Sequence, residues 1–260
     1  MAKMHLRIDA GCEHMETMYP CASRGDSRAV KTAKKSLAQQ AKDRVNGREE
    51  KQRKNDMAAY RKLELELAAN YKPGDLIICL TFDDAHLPNS RAGVKAAVKQ
   101  FTSVLRRYRE KHGQTLTYHY REEHKHLSEN RDMDGRWHVH MVLNATGTDY
   151  KLISTFWGRG RVEIQRLRVD RDKNYESQAR YMTKEGRDKV GQRLWSSSRG
   201  AKKPQRERKR VGNDAKIKIP RKAIVLSDTG EVETIYGCYR FVRYILPSEM
   251  AAAPSGRRKK

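Results

Sequence analysis

Trp137-His-Val-His-Met-Val-Leu-Asn144 alternates large apolar residues with imidazoles. Successive side chains of a β-strand point to opposite faces, so Trp137, Val139, Met141 and Leu143 pack on one side while His138, His140 and Val142 take the other. Two imidazoles on one strand face, one residue apart, make half of a metal site. The plainer reading is a chance histidine pair in a half-buried strand. Tyr181 and Lys184, later in the chain, weigh against it.

Outward from that strand, Leu76–Phe82 reads Leu-Ile-Ile-Cys-Leu-Thr-Phe, apolar on both faces, as a central strand does. Pro73-Gly74-Asp75 precedes it as a breaker. Asn89 or Ser90 can cap a helix reaching about His112, with Val94, Val98, Phe101, Leu105 and Tyr108 on one face and Gly113 as terminator. Thr115–Arg121 is a further strand, and the loop from it to Trp137 is highly charged. Asp149 opens a short helix burying Leu152, Ile153, Phe156 and Trp157, and Arg161–Arg168 alternates as a fourth strand. The order β-α-β-β-α-β predicts an α+β fold of split-βαβ, ferredoxin-like type, an antiparallel sheet with its helices on one face. A helical extension precedes it and strands follow it.

The 260 residues carry 56 Lys+Arg against 32 Asp+Glu, a net charge of +24, which points to a polyanionic partner and foremost to nucleic acid. No run is long and apolar enough to span a bilayer, and no signal peptide is seen, so the expected location is cytoplasmic, with no membrane partner. The four cysteines (Cys12, Cys21, Cys79, Cys238) form no C-x-x-C pair. Residues 1–27 show no clear period and read as an irregular arm. Arg28 to about Asn70 is rich in helix formers, with Leu63 and Leu67 on one face. Ser196–Arg210 is a basic loop too polar to pack, and strands near Ala223–Ser227 and Glu233–Ile245 are joined by a turn at Asp228-Thr229-Gly230.

Asn174 caps a helix running to Lys184. At about 100° per residue Tyr181 and Lys184 share a face, whereas Tyr175 and Lys184 stand on opposite faces. A tyrosine hydroxyl is a weak nucleophile unless a cation favours the phenolate or a metal activates the electrophile. Together the features describe one reaction. A divalent ion on His138 and His140 would polarise a phosphodiester, Tyr181 would attack phosphorus, and Lys184 would neutralise charge or orient the phosphate.

Several stretches in order resemble the HUH endonucleases, and among them the rolling-circle replication initiators of plasmids, phages and integrated elements. Tyr71-Lys-Pro-Gly-Asp-Leu-Ile-Ile-Cys-Leu-Thr-Phe-Asp-Asp84 is similar to the first motif of that family, and Gly135-Arg-Trp-His-Val-His-Met-Val-Leu-Asn144 to the second. Phe156-Trp-Gly158, Tyr181-Met-Thr-Lys-Glu185, and Trp195-Ser-Ser-Ser-Arg199 with Lys203-Pro204 follow. The resemblance implies a metal-dependent, site-specific single-strand nickase and strand-transferase that forms a 5′-phosphotyrosine link, in a bacterial host cell. It also implies a third metal ligand from the strand before the histidines. Glu122 and Glu123 both offer a carboxylate, on opposite faces, and spacing from Tyr118 in the family pattern favours Glu123. Two imidazoles with a carboxylate suit Mg²⁺ or Mn²⁺ without choosing between them. Tyr175 lacks the close spacing of two-tyrosine relatives, so a single nucleophile is expected.

The expected organisation is an arm and basic helix over 1–72, a nickase domain over 73–246 with a basic loop at 196–214, and a disordered basic tail at 247–260. The expected partner is single-stranded or supercoiled origin DNA, held by Arg199, Lys202, Lys203, Arg206, Arg208, Lys209 and Arg210. No Walker A loop is present, so a separate helicase is expected. The alternatives are a relaxase or transposase of the same superfamily, and a non-enzymatic nucleic-acid-binding module, which would show aromatic residues on an exposed sheet face. His124-Lys-His126 repeats the histidine spacing but reads as a solvated loop, and His86 and His119 read as structural.

Overall fold

The computed structural model describes residues 2–21, 37–125, 136–147, 149–184, 193–227, 229–234 and 237–249. In chain order the elements are β1 (Lys3–Ala10), β2 (Glu13–Pro20), α1 (Leu37–Asn70), β3 (Leu76–Thr81), α2 (Arg91–Lys111), β4 (Tyr118–Lys125), β5 (Arg136–Leu143), α3 (Asp149–Trp157) and β6 (Val162–Arg166). Then come α4 (Glu176–Thr183), β7 (Ser196–Ser197), β8 (Gln205–Val211), β9 (Ile224–Val225), β10 (Gly230–Thr234) and β11 (Gly237–Ile245). The chain divides into two units that cut across the expected succession of arm, domain and tail. One comprises Met1–Ala69, Arg171–Asn174 and Lys203–Met250; the described part of the other comprises Asn70–Asp170 and Tyr175–Lys202.

The second unit is the α+β fold expected from the periodicity. Its sheet runs β6-β3-β5-β4-β7, with every described pair antiparallel, the strand order of a split βαβ arrangement. β3 and β5 are inner strands, which is why Leu76, Ile78, Leu80, Val139, Met141 and Leu143 are buried together. Against them pack Val94, Val98, Phe101 and Leu105 of α2 and Ile153 and Trp157 of α3. Ser90 caps α2, its hydroxyl accepting from the Gly93 amide. Arg109 falls on the same stripe one turn beyond Leu105 and is buried. It donates to Asp149 (2.8 Å), to the Asn144 side chain and carbonyl (both 2.8 Å) and to the Thr115 carbonyl (3.1 Å), tying α2 to the start of α3. After α3, Gly160 turns with φ +150°, and a Cβ there would stand 2.6 Å from the Thr81 carbonyl oxygen. Only glycine lets the chain pass this close to β3.

The first unit overturns several expectations. The expected irregular arm is a hairpin: Met4, Leu6, Ile8 and Ala10 alternate with charged residues, and β1 pairs antiparallel with β2. The alternation escapes notice because the intervening residues are charged or aromatic. Gly11 makes the turn at φ +63°, where a Cβ would meet the Ala68 carbonyl at 2.9 Å. The basic loop contains β7 and the fully formed strand β8, which pairs with β1; polar residues suit an edge strand, which buries little. The stretch 233–245 is two strands, β10 and β11, with Thr234 opposite Gly237, and β9 is reduced to two residues on β11. The sheet order is β10-β11-β2-β1-β8. In the second unit, His124 and Lys125 end β4 rather than lying in a loop, while His126 falls outside the described residues. Tyr175, not Asn174, is the N-cap residue of α4. The arm beyond Cys21, the helix before Leu37 and the tail beyond Glu249 fall outside the described residues.

α1 ends in Leu63-Glu-Leu-Glu-Leu67, buried on every side. Its carboxylates are therefore paired. Glu64 accepts from Arg243 (2.7 Å), Arg61 (2.6 Å) and Asn174 (3.1 Å), and Arg243 also bonds Glu13; Lys203 reaches Glu66 at 2.7 Å. A buried pair of this kind costs more when one partner is lost than it contributes when intact.

Two outcomes are expected. Arg109→Ala should destabilise the protein by about 3–5 kcal/mol in urea denaturation, because it leaves Asp149 buried without its cation. The second concerns Glu13, which burial and nearby Glu64 raise to about 7 against the pull of Arg243. Between the ordinary carboxylate value and about 7, the folded chain holds a proton that the unfolded chain has released. Stability should thus fall as pH rises through that window. Glu13→Gln should flatten this part of the profile, measured by denaturation across about pH 5–8.

Candidate active site

Because β5 is flanked on both sides, each histidine has two cross-strand neighbours. Glu123 stands opposite His138 and Arg121 opposite His140 on β4, while Thr81 and Cys79 hold the matching places on β3. Glu163 of β6 lies opposite Cys79. Strand alternation puts all of these on the face away from the apolar core. There Glu123 Oε2 and His140 Nε2 are hydrogen-bonded at 2.8 Å, both side chains buried. Glu122 faces the other way, with its carboxylate 3.4 Å from Lys95 and 3.7 Å from Arg91. The register thus separates two adjacent carboxylates that the sequence leaves equivalent.

α4 lies over the histidine face. The buried Arg121 donates to the Met182 carbonyl at 2.8 Å, binding the sheet to the last turn of the helix. Ala179 and Met182 are buried, and Tyr181 is left 42% exposed, its ring edge-on to His140 with centroids 5.0 Å apart. Burial raises the Tyr181 phenol above its ordinary value, and Cys79, Glu123 and Glu163 push the same way. The Lys184 ammonium is 4.9 Å from the Tyr181 ring centroid, so the two residues that share a helix face in the sequence reading are neighbours here. Tyr175 is buried, its hydroxyl donating to the Tyr71 carbonyl, and it has no access to the face. Beside Tyr181 opens a cavity of about 880 Å³ lined by His140, Cys79, Glu163, Gln165, Arg168 and Gln178, among others.

The remaining predicted residues are dispersed. Arg199 and Lys202 are exposed. Lys203 is paired with Glu66, and Lys209 with Glu207 at 2.7 Å. Arg206, Arg208 and Arg210 alternate with Glu207 and Lys209 along β8. His119 is fully buried and bonded to the Tyr71 hydroxyl at 2.8 Å, and His86 is bonded to Asp83. Sequence reasoning missed Arg121, Cys79 and Glu163. Arg121 could have been found from its spacing of two before Glu123, which puts both on one strand face.

Glu123, His138 and His140 are the residues that could hold a metal. Two imidazoles and a carboxylate form a donor set for a divalent ion, and Glu123 Oε1 is buried with no hydrogen-bond partner among the described residues. That oxygen is an acceptor in search of a cation, so the residues fit. As they stand, Glu123 Oε2 and His140 Nε2 bind each other. Among the described residues, only Glu231, Glu233 and Cys238 bring three such ligand atoms within 4.8 Å. That trio is on a hairpin where Arg240 already pairs with Glu231.

Residues 75–186 match a family model described as replication-associated protein, ORF2 type. The matched segment contains Glu123, His138, His140, Tyr181 and Lys184, and the match supports a rolling-circle replication initiator, a Rep protein. No curated protein and no solved structure matches the chain. No helix of the described residues is long and apolar enough to cross a membrane.

The two carboxylates should behave differently toward metal. Glu123→Ala should weaken Mn²⁺ binding by about 10–100-fold, followed by the loss of the free-ion electron paramagnetic resonance signal on titration. Glu122→Gln should leave it within about twofold, because that side chain faces the opposite side of the sheet.

Proposed function

We propose, from the premise that residues 75–186 are the replication-associated segment of a rolling-circle initiator, that the protein nicks one DNA strand and stays joined to its 5′ end through Tyr181. The observation that carries this reading is the approach of the Tyr181 ring to His140, on the face that also holds His138 and Glu123. In the proposed step Tyr181 Oη attacks the scissile phosphorus, the bond to the 3′ oxygen breaks, and the phenolic proton is released while the 3′ oxygen gains one. Rejoining is the reverse, with a 3′-hydroxyl attacking the phosphotyrosine.

A divalent ion, Mg²⁺ or Mn²⁺, held by Glu123, His138 and His140 would polarise the phosphodiester and draw off charge as the transition state forms. The chain's own residues supply the rest. Arg121 holds the end of α4 against the sheet, which keeps the Tyr181 hydroxyl near the histidines. Lys184 beside the ring favours the phenolate and offsets the upward push on the phenol from burial and nearby anionic groups. Tyr175, turned into the core, leaves one nucleophile. The surplus of cationic side chains supplies affinity for origin DNA, single-stranded or in a supercoiled duplex, without reading sequence. Unwinding would fall to a separate helicase.

The test is a denaturing gel of the protein with labelled single-stranded origin DNA, with Mn²⁺ or with EDTA, followed by peptide mapping. A metal-dependent adduct on Tyr181 is expected. Tyr181→Phe should lower nicking by on the order of 10³-fold or more and leave DNA affinity within about twofold. A Tyr181→Phe protein that still nicks, or an adduct mapped to Tyr175, would refute the assignment.

A further inference from the structure

The sheet of the first unit has two chemically different faces. Its registers align Arg210 with Met4, Met4 with Tyr19, and Tyr239 with Val232, and the rings of Tyr19 and Tyr239 stack with centroids 6.0 Å apart. The next row holds Arg208, Leu6, Thr17 and Phe241. Tyr239 and Phe241 rings are 6.3 Å apart, and the Arg208 guanidinium is 5.9 Å from the Tyr19 ring centroid. The acidic side chains of these strands lie mainly on the opposite face, where Glu207, Asp9, Glu16, Glu231 and Glu233 alternate with the residues just named.

Burial falls along this face. Glu13, Ala10 and Arg243 at one end are buried, whereas Tyr239 is 38% and Val232 51% exposed at the other. Tyr19 and Phe241 are partly open, and Arg206, Arg208 and Arg210 are exposed along the edge strand. Exposed aromatic rings in a row, flanked by a file of guanidinium groups with no carboxylate among them, match the two needs of a single strand: planar surfaces for unstacked bases and cations for phosphate. A duplex keeps its bases stacked inside and could use only the cations.

We propose that this face is a second, sequence-tolerant binding surface for single-stranded DNA. Bases stack on Tyr19, Tyr239 and Phe241, and phosphates are held by Arg206, Arg208 and Arg210. The strands that build it lie outside residues 75–186, and the proposal does not depend on Tyr181 chemistry.

The test uses the full chain in EDTA, so that cleavage is suppressed, and a fluorescein-labelled oligothymidylate of about 30 nucleotides with no origin sequence. Tyr239→Leu combined with Phe241→Leu keeps apolar bulk and removes the rings. It should weaken binding by about tenfold or more with an unchanged salt slope. Replacing Arg206, Arg208 and Arg210 by Gln should reduce the salt slope by about 2. Photocrosslinking with 5-iododeoxyuridine should map to Tyr19, Tyr239 or Phe241. Thermal melts check that each variant is folded, and Tyr19→Leu is the substitute where the double variant is not. The proposal is overturned if folded ring variants bind within about twofold of the wild type, or lose affinity for an equal-length duplex to the same degree. A tenfold preference for oligouridylate would overturn the assignment to DNA. None of these outcomes depends on whether Tyr181 forms an adduct.

Discussion

The pairing of β5 with a neighbour on each side is the constraint on which the described site depends. An inner strand must satisfy its backbone on both edges, so its register is set twice, against β3 and against β4. A slip of one residue would carry Val139, Met141 and Leu143 out of the core and turn the imidazoles into it. The apolar side chains on the far face prevent that slip. The same contacts that bury the core thus present His138 and His140 beside Glu123 on the accessible side, and give α4 a flat surface to lie on.

Charge, rather than apolar contact, closes several joints of the fold. Arg109 ties α2 to α3 through Asp149 and the Asn144 backbone, and Arg121 holds the last turn of α4. In the other unit Arg243 bridges Glu13 and Glu64, two carboxylates fully buried from solvent. Such pairs are specific because misplacing either partner strands a charge in a poor dielectric. A chain this rich in Lys and Arg has cations to place inside and still keeps a large excess for its surface.

The histidine face and the aromatic face solve different problems with the same period-two geometry. In one, alternation gathers nitrogen and oxygen donors around a buried carboxylate, as phosphodiester chemistry requires. In the other, it gathers rings and guanidinium groups, as holding a flexible strand requires. The runner-up reading, a sheet that displays aromatics, therefore describes the first unit, while the histidines mark the second.

Periodicity alone reveals the split βαβ order, the inner position of β3 and β5, the apolar stripe of α2 and the shared face of Tyr181 and Lys184, because each depends on neighbours along one element. The hairpin at Lys3–Pro20 is also written there, yet its charged and aromatic intervening residues disguise the alternation. Other features lie beyond a one-dimensional reading. The choice between Glu122 and Glu123 rests on cross-strand register, the approach of Tyr181 to His140 on the packing of a helix against a sheet, and the cradling of Glu64 on an arginine far along the chain. The sequence by itself determines which faces each element can have. Only the tertiary structure decides which faces meet, because pairing register and burial are set by contacts between residues distant in sequence.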